Sequence, residues 1–360
     1  MKTLFTFSLV LLCVSLATPQ AKKEVKKSTA ELASSPKSTT AKIWGSTYID
    51  YAYVAKAQDT SIQKNNAFEF RRIYLGYDQD ISDQFSARVL IEANDSETTK
   101  SGVMGFFAKQ AYLEWKNLLP MANIFIGLSP TPSLANAEKF WAYRSLEKVI
   151  LDRKGLVATS EMGVGVKGKI VADGSLGYAL MVGNGNGGKL ENDKLKKIFG
   201  EIDFEPVKGA VVELYGDYEN GANSQAKLTG KGLFGYQSAT VSFGVEGFYR
   251  NVQHGTFQSN GASADSNLIG ASANTSFQIV ENLRLVLRGD FFDADFLVKD
   301  KGFREIFAVA GLDFAPAKDV HLIPNALYTH QLKKLTTSPT LSDDITVRLT
   351  FAYSFSAQIQ

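Results

Sequence analysis

The sequence has few of the residues that build catalytic and metal centres. Its 360 residues include one cysteine, Cys13, and three histidines. Cys13 lies in the apolar segment at the start of the chain, so we expect a mature protein without thiols, disulfides or a cysteine-ligated metal. The sequence also lacks an HExxH motif and a serine elbow. These absences predict no metal, no bound cofactor and no enzymatic activity.

Long hydrophobic runs are also missing. After Ala21 no stretch reaches the roughly 20 apolar residues of a membrane-spanning helix. The apolar run from Leu4 to Leu16 is shorter still, follows the positively charged Lys2, and ends in the small residues Ser15 and Ala17. A charged start, a short apolar core and small residues at the exit are typical of a secretory signal peptide. We therefore predict a signal peptide over residues 1–17, with cleavage as late as 21, rather than an uncleaved anchor.

Residues 18–42 are rich in lysine, serine and threonine and lack aromatic side chains. This segment contains six lysines and only two glutamates: Lys22, Lys23, Lys26, Lys27, Lys37 and Lys42, and Glu24 and Glu31. Such a composition predicts a disordered tail, with contact to the cell wall as one use for its charge. Without the tail and Lys2, acidic residues outnumber basic ones, so the basic character of the chain does not indicate nucleic-acid binding.

The rest of the chain carries the alternation of a strand with one apolar and one polar face. It is clearest from Ile345 to Phe355, where every second residue is a large apolar one and Arg348 and Thr350 lie between. Segments 283–291 and 85–92 repeat the pattern. A soluble β-sandwich also alternates in this way, so alternation alone does not distinguish it from a membrane barrel.

The links between strands do distinguish them. From Lys42 onward we count sixteen candidate strands, with fourteen or eighteen within the uncertainty of their boundaries, and the links alternate between long and short. The long links are Lys56–Asn65, Asp95–Gly105, Ser129–Ala158, Gly183–Lys196, Glu219–Gln225, Asn251–Ser266, Asp293–Gly302 and Gln331–Asp343. The short links are Ser82–Gln84, Lys116–Ala122, Ala172–Gly174, Pro206–Gly209, Gln237–Ser238, Val280–Asn282 and Pro316–Asp319. Tight periplasmic turns and long outer loops are typical of outer-membrane barrels.

The predicted fold is therefore all-β: a transmembrane, antiparallel, up-and-down β-barrel over residues 43–360. An even number of strands places both chain ends in the periplasm. The least certain strands are 226–236 and 320–329, and Pro324 predicts an edge bulge or irregularity in the second of these. A barrel of this size has room for an aqueous lumen.

The link from Ser129 to Ala158 is the longest, and long loops are usually functional. Between Leu134 and Leu151 its apolar residues have partly helical spacing, and its aromatic residues need a surface to cover them. We therefore predict that this loop folds into the lumen and constricts it, with an outward, solvated loop as the alternative. Its cationic candidates for the constriction are Lys139, Arg144, Lys148 and Arg153.

The polar faces of the strands carry charges of both signs. The predicted pore-lining cations of the strands are Arg72, Arg88, Arg284, Arg288 and Arg348, and carboxylates such as Glu92, Glu213 and Asp290 accompany them. Because the two signs are similar in number, we interpret these residues as salt-bridge networks along a polar lumen, and their sum indicates neither an anion nor a cation preference.

Two motifs suggest other chemistry. Residues 183–188, Gly-Asn-Gly-Asn-Gly-Gly, formally match a dinucleotide fingerprint, but no helix and acidic partner follow, so we interpret them as an outer loop. His254 and His330 lie near long links, where a membrane-barrel hydrolase would carry its site. This is the weakest of the functional alternatives.

Four segments resemble the phosphate-selective porin O/P group: FRRIYLGYDQDISDQFSARVLIE at 70–92, KQAYLEW at 109–115, IFIGLSPTP at 124–132 and EKFWAYRSLEKVILD at 138–152. The resemblance implies a sixteen-stranded, trimeric channel whose third outer loop folds inward. It also implies an arginine ladder and a lysine cluster for phosphate, and neither has a residue-by-residue counterpart here. The chain departs from usual porins at its end, where Phe355 is followed by five further residues.

Together these observations predict an outer-membrane porin in a Gram-negative-type bacterium. It would be a homotrimer in contact with membrane lipid, passing small hydrophilic solutes or ions, with anions such as phosphate left open. The main alternative is a non-conducting barrel for adhesion or envelope structure.

Overall fold

The computed structural model describes residues 40–191, 193–221, 225–257, 263–299, 302–334 and 340–359. The predicted signal peptide and all but the last three residues of the predicted tail lie outside these ranges. In the described part of the chain, no helix is both long and apolar enough to cross a bilayer.

Sixteen antiparallel strands form one closed barrel, as predicted. Each strand pairs with its neighbours in sequence, and β1 pairs with β16, with Ala41 opposite Ile359. The strands are β1 Ala41–Lys56, β2 Asn66–Asp80, β3 Phe85–Thr98, β4 Met104–Leu119, β5 Ala122–Pro130, β6 Ser160–Lys169, β7 Leu176–Gly183, β8 Lys197–Phe204, β9 Ala210–Glu219, β10 Lys227–Gln237, β11 Val241–Phe257, β12 Ser263–Val280, β13 Leu283–Asp293, β14 Phe303–Ala317, β15 Val320–Lys333 and β16 Asp344–Ile359. β1 thus begins two residues before the expected start of the barrel at 43.

The links alternate in length as predicted, although several boundaries differ. β11 and β12 extend through most of the expected link Asn251–Ser266, with Thr256 opposite Ala264. β3 likewise runs to Thr98 and β4 to Leu119, into segments predicted as links. The pairing in these extensions is irregular, with register shifts between Ala93 and Thr98 on β3 and between Trp115 and Leu119 on β4.

The two faces of the wall follow the predicted alternation. On β16, Val347, Leu349, Tyr353 and Phe355 are 37–50% exposed on the outside, whereas Thr350 is fully buried on the inside. An apolar side chain of this size gains about 1.5–3 kcal/mol when it leaves water for an apolar medium. The outer surface is therefore suited to hydrocarbon.

Pro324 is paired on only one of its two sides, because the β14–β15 pairs stop at Gly311–Asn325 and resume at Phe314–Leu322. It is paired with Leu349 of β16 in unbroken register. The irregularity is in the opposite ladder, where the register of β14 against β15 shifts between Phe314 and Ala317. Proline has no N–H to donate, so a ladder on one of its sides is necessarily weakened.

Candidate functional site: the barrel interior

The link 131–159 between β5 and β6, called here the third loop, is folded against the inside of the wall. It is closed at its base by the Thr131 hydroxyl, which donates to the carbonyl of Ala158 at 2.7 Å. Two short helices follow, α1 over Ala135–Trp141 and α2 over Ile150–Arg153. α1 contacts β10, β11 and β12, and α2 contacts β12.

Residues 134–151, whose spacing is partly helical, form these two short helices with an irregular segment between them. α1 ends at Ala142, which is left-handed with φ 56°. After this point the carbonyls of Leu146 and Lys148 accept hydrogen bonds from arginines of the wall. Four apolar residues with this helical spacing are all buried: Phe140, Tyr143, Leu146 and Ile150.

An apolar cluster joins the loop to one side of the barrel. From the loop it includes Leu134, Phe140, Trp141, Leu146, Ile150 and Leu151, and from β9–β15 it includes Val211, Leu233, Phe248, Val286, Phe307 and Ile323. The expectation of a polar lumen was therefore wrong for this side. In the sequence, the apolar cluster is indicated by an apolar residue at an inward position of an otherwise alternating strand, as at Val286.

Gly235 on β10 provides the space for the ring of Phe140. A Cβ atom at Gly235 would lie 2.2 Å from Phe140 Cδ2. The ring therefore lies directly on the backbone of the wall, and the Ser242 hydroxyl donates to the Phe140 carbonyl at 2.8 Å.

Cationic side chains of the wall hold the loop by its carbonyls. Arg71 donates to the carbonyl of Leu146 at 2.9 Å, and Arg288 to that of Lys148 at 2.6 Å. Lys231 and Arg250 similarly donate to Ser133 and Leu156. Hydrogen bonds from charged donors are roughly twice as strong as neutral ones, so these contacts fix the path of the loop.

The far end of the loop is tied to β14. The Tyr143 phenol donates to Asp313 at 3.0 Å, and His321 Nδ1 lies 2.9 Å from the other oxygen of the same carboxylate. Burial of Tyr143, and then the neighbouring Asp313, raise the pKa of the phenol above its ordinary value. A raised pKa keeps the phenol protonated and able to donate.

Several predicted pore-lining cations serve this docking. Arg288 is paired with Asp290 at 2.7 Å beneath the ring of Trp141, and Arg153 with Glu305 at 2.6 Å over the ring of Phe307. Three further predicted cations are Arg284, Arg348 and Lys148. Arg284 donates to the carbonyls of Ala239 and Thr240, and Arg348 is 3.6 Å from Asp50.

The remaining cations face the opposite side of the interior, along β2–β8. Arg72 Nε lies 3.1 Å from Glu92, and Arg88 forms a two-bond pair with Asp78 at 2.6 and 2.9 Å. Arg144 extends from the loop towards this wall and donates to the Tyr74 hydroxyl at 2.9 Å while pairing with Glu138 and Asp152. Lys139 is exposed on α1, over the ring of Phe140.

Two further cations reach the interior through bulges, and the sequence analysis missed them. Lys109 forms an ion pair with Glu92 because the register of β3 against β4 shifts at Leu90/Ile91. Arg71 is turned inward by the shift of β1 against β2 at Tyr48/Ile49. A single extra residue in a strand reverses the side of its neighbours, which regular alternation cannot predict.

Two cavities lie on the β2–β8 side and share Tyr112. One of about 290 Å³ is near the short turns and is lined by polar groups that include Asp78, Arg88, Glu114 and Lys116. The other, of about 180 Å³, lies between β4–β8 and the start of the third loop. Open volume inside the barrel thus lies along the wall that the apolar cluster does not cover.

The glycine-rich segment 183–188 binds one of the protein's own carboxylates. The backbone N–H groups of Gly185 and Gly187 donate to Glu161 at 2.9 and 3.1 Å, and both glycines have positive φ. A set of backbone amides of this kind suits an anion. Glu161 already fills it, which fits the interpretation of this segment as a loop.

The two histidines of the hydrolase alternative lie on β11 and β15, which are not neighbours in the barrel. His330 Nδ1 is 2.6 Å from Asp343, which is also 3.1 Å from Lys56. The nearby Ser342 hydroxyl donates to the Ala57 carbonyl. Within the described residues, no group of three or more His, Cys, Asp or Glu side chains is arranged to hold a metal.

The architecture and its inward loop define a porin-type barrel. One similar solved structure is an anion-selective porin from Comamonas acidovorans, with a TM-score of 0.63 and 11% identity over 88% of this chain and 100% of that one. Another is the outer membrane channel DcaP of Acinetobacter baumannii, with a TM-score of 0.63 and 12% identity over 88% of this chain and 97% of that one. A third is the trimer form of the outer membrane protein OmpT of Vibrio cholerae (0.60, 11%, 89% and 100%).

At 11–12% identity these likenesses show the fold. Neither a family model nor a curated protein matches the sequence. The resemblance to the phosphate-selective group is not confirmed and stays a prediction.

Proposed function

We propose that this protein is an outer-membrane porin that passes small hydrophilic solutes by diffusion. One observation carries the proposal: the third loop covers the β9–β15 side of the lumen and leaves polar, charge-lined space along β2–β8. A closed barrel with an apolar exterior needs no such internal space for stability. Solutes would pass along β2–β8, beside the group that Arg144 of the loop forms with Tyr74, Arg72 and Glu92 of the wall.

The charges around this passage are mixed. Arg72, Lys109 and Arg144 are each paired with a carboxylate of the wall or loop. A ring of paired charges sets a local field without a large excess of either sign, so we propose weak ion selectivity. Transport of anions such as phosphate is the finer possibility that the paired arginines leave open.

The assembly we propose is a homotrimer in the outer membrane of a Gram-negative-type bacterium, as in the trimer form of OmpT. The exposed apolar outer surface would contact lipid and the neighbouring subunits. We also propose that the lysine-rich tail is periplasmic and contacts the cell wall.

The test is conductance of the purified protein in a planar bilayer. We expect discrete steps, and a larger step after deletion of residues 133–154, because the deletion removes the obstruction. Deletion of the exposed residues 188–190 from another outer loop is the control and should change the step little. Absence of any step from correctly folded barrels would contradict the proposal and favour a non-conducting barrel for adhesion or envelope structure.

A further inference from the structure

The cavity of about 180 Å³ beside the third loop combines charges of both signs with apolar groups. On the wall it is lined by Lys167 of β6, Ala179 and Met181 of β7, and Glu201 of β8. Phe125 of β5 and Pro132 of the loop lie on its other sides. It is thus a pocket beside the proposed passage and within reach of a passing solute.

Strand register places the two charges on either side of a small residue. Lys167 is paired with Ala179, and Ala179 with Glu201. Neighbouring strands are about 4.8 Å apart, so the two charged residues start about 10 Å from each other. Because alanine is short, the space between their side chains is open.

Glu201 has an acceptor atom that the described residues do not use. The residue is 5% exposed, and its Oε1 accepts a hydrogen bond from Asn136 at 3.2 Å. Its Oε2 is buried and has no hydrogen-bond partner within the described part of the chain. Neighbouring Glu213, by contrast, is paired with Lys231 at 2.7 Å. A buried carboxylate oxygen without a donor is unfavourable, and a cationic donor would satisfy it.

Lys167 is the complementary group. It is exposed to the interior, and no carboxylate of the described residues lies within ion-pair distance of it. Most other cations around the passage are paired or bonded to carbonyls. The pocket therefore offers one free acceptor for an ammonium group and one free cation for a carboxylate.

We propose that this pocket is a binding station for a small organic zwitterion of the free amino acid class. The ammonium group of the solute donates to Glu201 Oε2, its carboxylate accepts from Lys167, and its apolar part contacts Met181 and Phe125. A volume of 180 Å³ equals that of about six water molecules at roughly 30 Å³ each, which suits an amino acid and is below the usual size of a drug-like ligand site. This proposal rests on the porin function and names one class of its solutes.

The test is isothermal titration calorimetry on the folded protein in detergent, with three probes of similar apolar shape. Leucine carries both charges, 4-methylpentanoate only the carboxylate, and isopentylamine only the ammonium. We expect leucine to bind at least tenfold more tightly than either singly charged probe. Equal affinity for leucine and one of the others would overturn the proposal.

Two variants assign the charges. Glu201→Gln should weaken binding of leucine and isopentylamine at least fivefold and leave 4-methylpentanoate unchanged. Lys167→Met should weaken leucine and 4-methylpentanoate and leave isopentylamine unchanged. Glu281→Gln in a short turn and Lys189→Met in an outer loop make the same chemical changes outside the pocket and should have no effect. If either pocket variant binds leucine as the unmodified protein does, the assignment is wrong.

Binding and conduction are separate readouts. Normal conductance steps together with no leucine binding would refute the pocket and leave the porin function intact. Leucine binding by a barrel that gives no steps would refute the porin function and leave the pocket.

Discussion

The phenol of Tyr143 and the carboxylate of Asp313 lie 170 positions apart in sequence and 3.0 Å apart in the folded protein. This hydrogen bond joins the third loop to the wall at a buried point. Removal of the phenol leaves Asp313 with His321 as its side-chain partner.

Tyr143→Phe should therefore destabilise the barrel by about 1–3 kcal/mol, the usual penalty for a buried polar group that loses a partner. The thermal unfolding midpoint, read from the mobility shift of the folded barrel on gels, measures it. Because the raised pKa of Tyr143 keeps the phenol neutral in the folded protein, ionisation of this phenol should not change the difference from the unmodified protein below about pH 10. Tyr236→Phe, on the outer face, is the control, and an equal loss there would remove the special role of Tyr143.

Gly235→Ala should disturb the same loop through packing. The added methyl group meets the Phe140 ring, and overpacking of this kind typically costs about 1–3 kcal/mol. Gly230 lies on the same strand with nothing within 4 Å of an added Cβ, so Gly230→Ala is the matched control. Urea unfolding in detergent compares the two. If Gly235→Ala and Gly230→Ala have the same urea midpoint, the contact with the Phe140 ring does not limit the size of the residue at position 235.

Arg144→Met should shift ion selectivity towards cations. The change removes a positive charge from the proposed passage and leaves Glu138 and Asp152 without this partner. The reversal potential in a potassium chloride gradient reports the shift. Arg304→Met, at the outer rim, is the control. A shift towards anion selectivity, or no shift, would show that the permeating ions do not pass close to Arg144.

The group of Asp343, His330 and Lys56 at the outer rim should respond to acid. Hydrogen bonds from His330, and then from Lys56, lower the pKa of Asp343 below its ordinary value of 3.8. A lowered pKa stabilises the folded state above the ordinary value and ceases to do so as pH falls through the lowered one. Asp343→Asn should thus reduce the thermal midpoint at pH 6, and the reduction should become smaller as the pH falls below 3.8.

Lys56→Met should reproduce part of this effect, because it removes the second of the two hydrogen bonds. Lys100→Met, in a neighbouring outer link, changes the same residue type outside the group and should have no effect. A difference for Asp343→Asn that persists unchanged at pH 2 would contradict the electrostatic explanation.

The barrel could be predicted because its signals are local. In β16 each apolar residue is two positions from the next, which predicts the strand and its two faces. Along the chain, short turns interrupt such segments at regular intervals, which predicts that strands adjacent in sequence pair with each other. The placement of Lys109 and Arg71 could not be predicted, because each depends on a bulge in a ladder with another strand.

The interior was only partly predictable for a similar reason. The nine predicted cations all belong to inward-facing strand positions or to the third loop. Sequence alone did not separate the strand arginines that hold the loop, Arg288 and Arg348, from those along β2–β8, where space remains. That division depends on which wall the loop covers, and contacts such as Phe140 on Gly235 join residues almost a hundred positions apart.

Asp50 of β1 is contacted by Arg71 of β2 at 3.3 Å and by Arg348 of β16 at 3.6 Å, and both arginines also donate to the carbonyl of Leu146. The first and last strands of the barrel thus provide one shared anchor. This anchor is complete only once the final strand has joined the first. The anchor of the loop tip therefore depends on closure of the barrel, and the interior has its full set of contacts only when the first and last strands are paired.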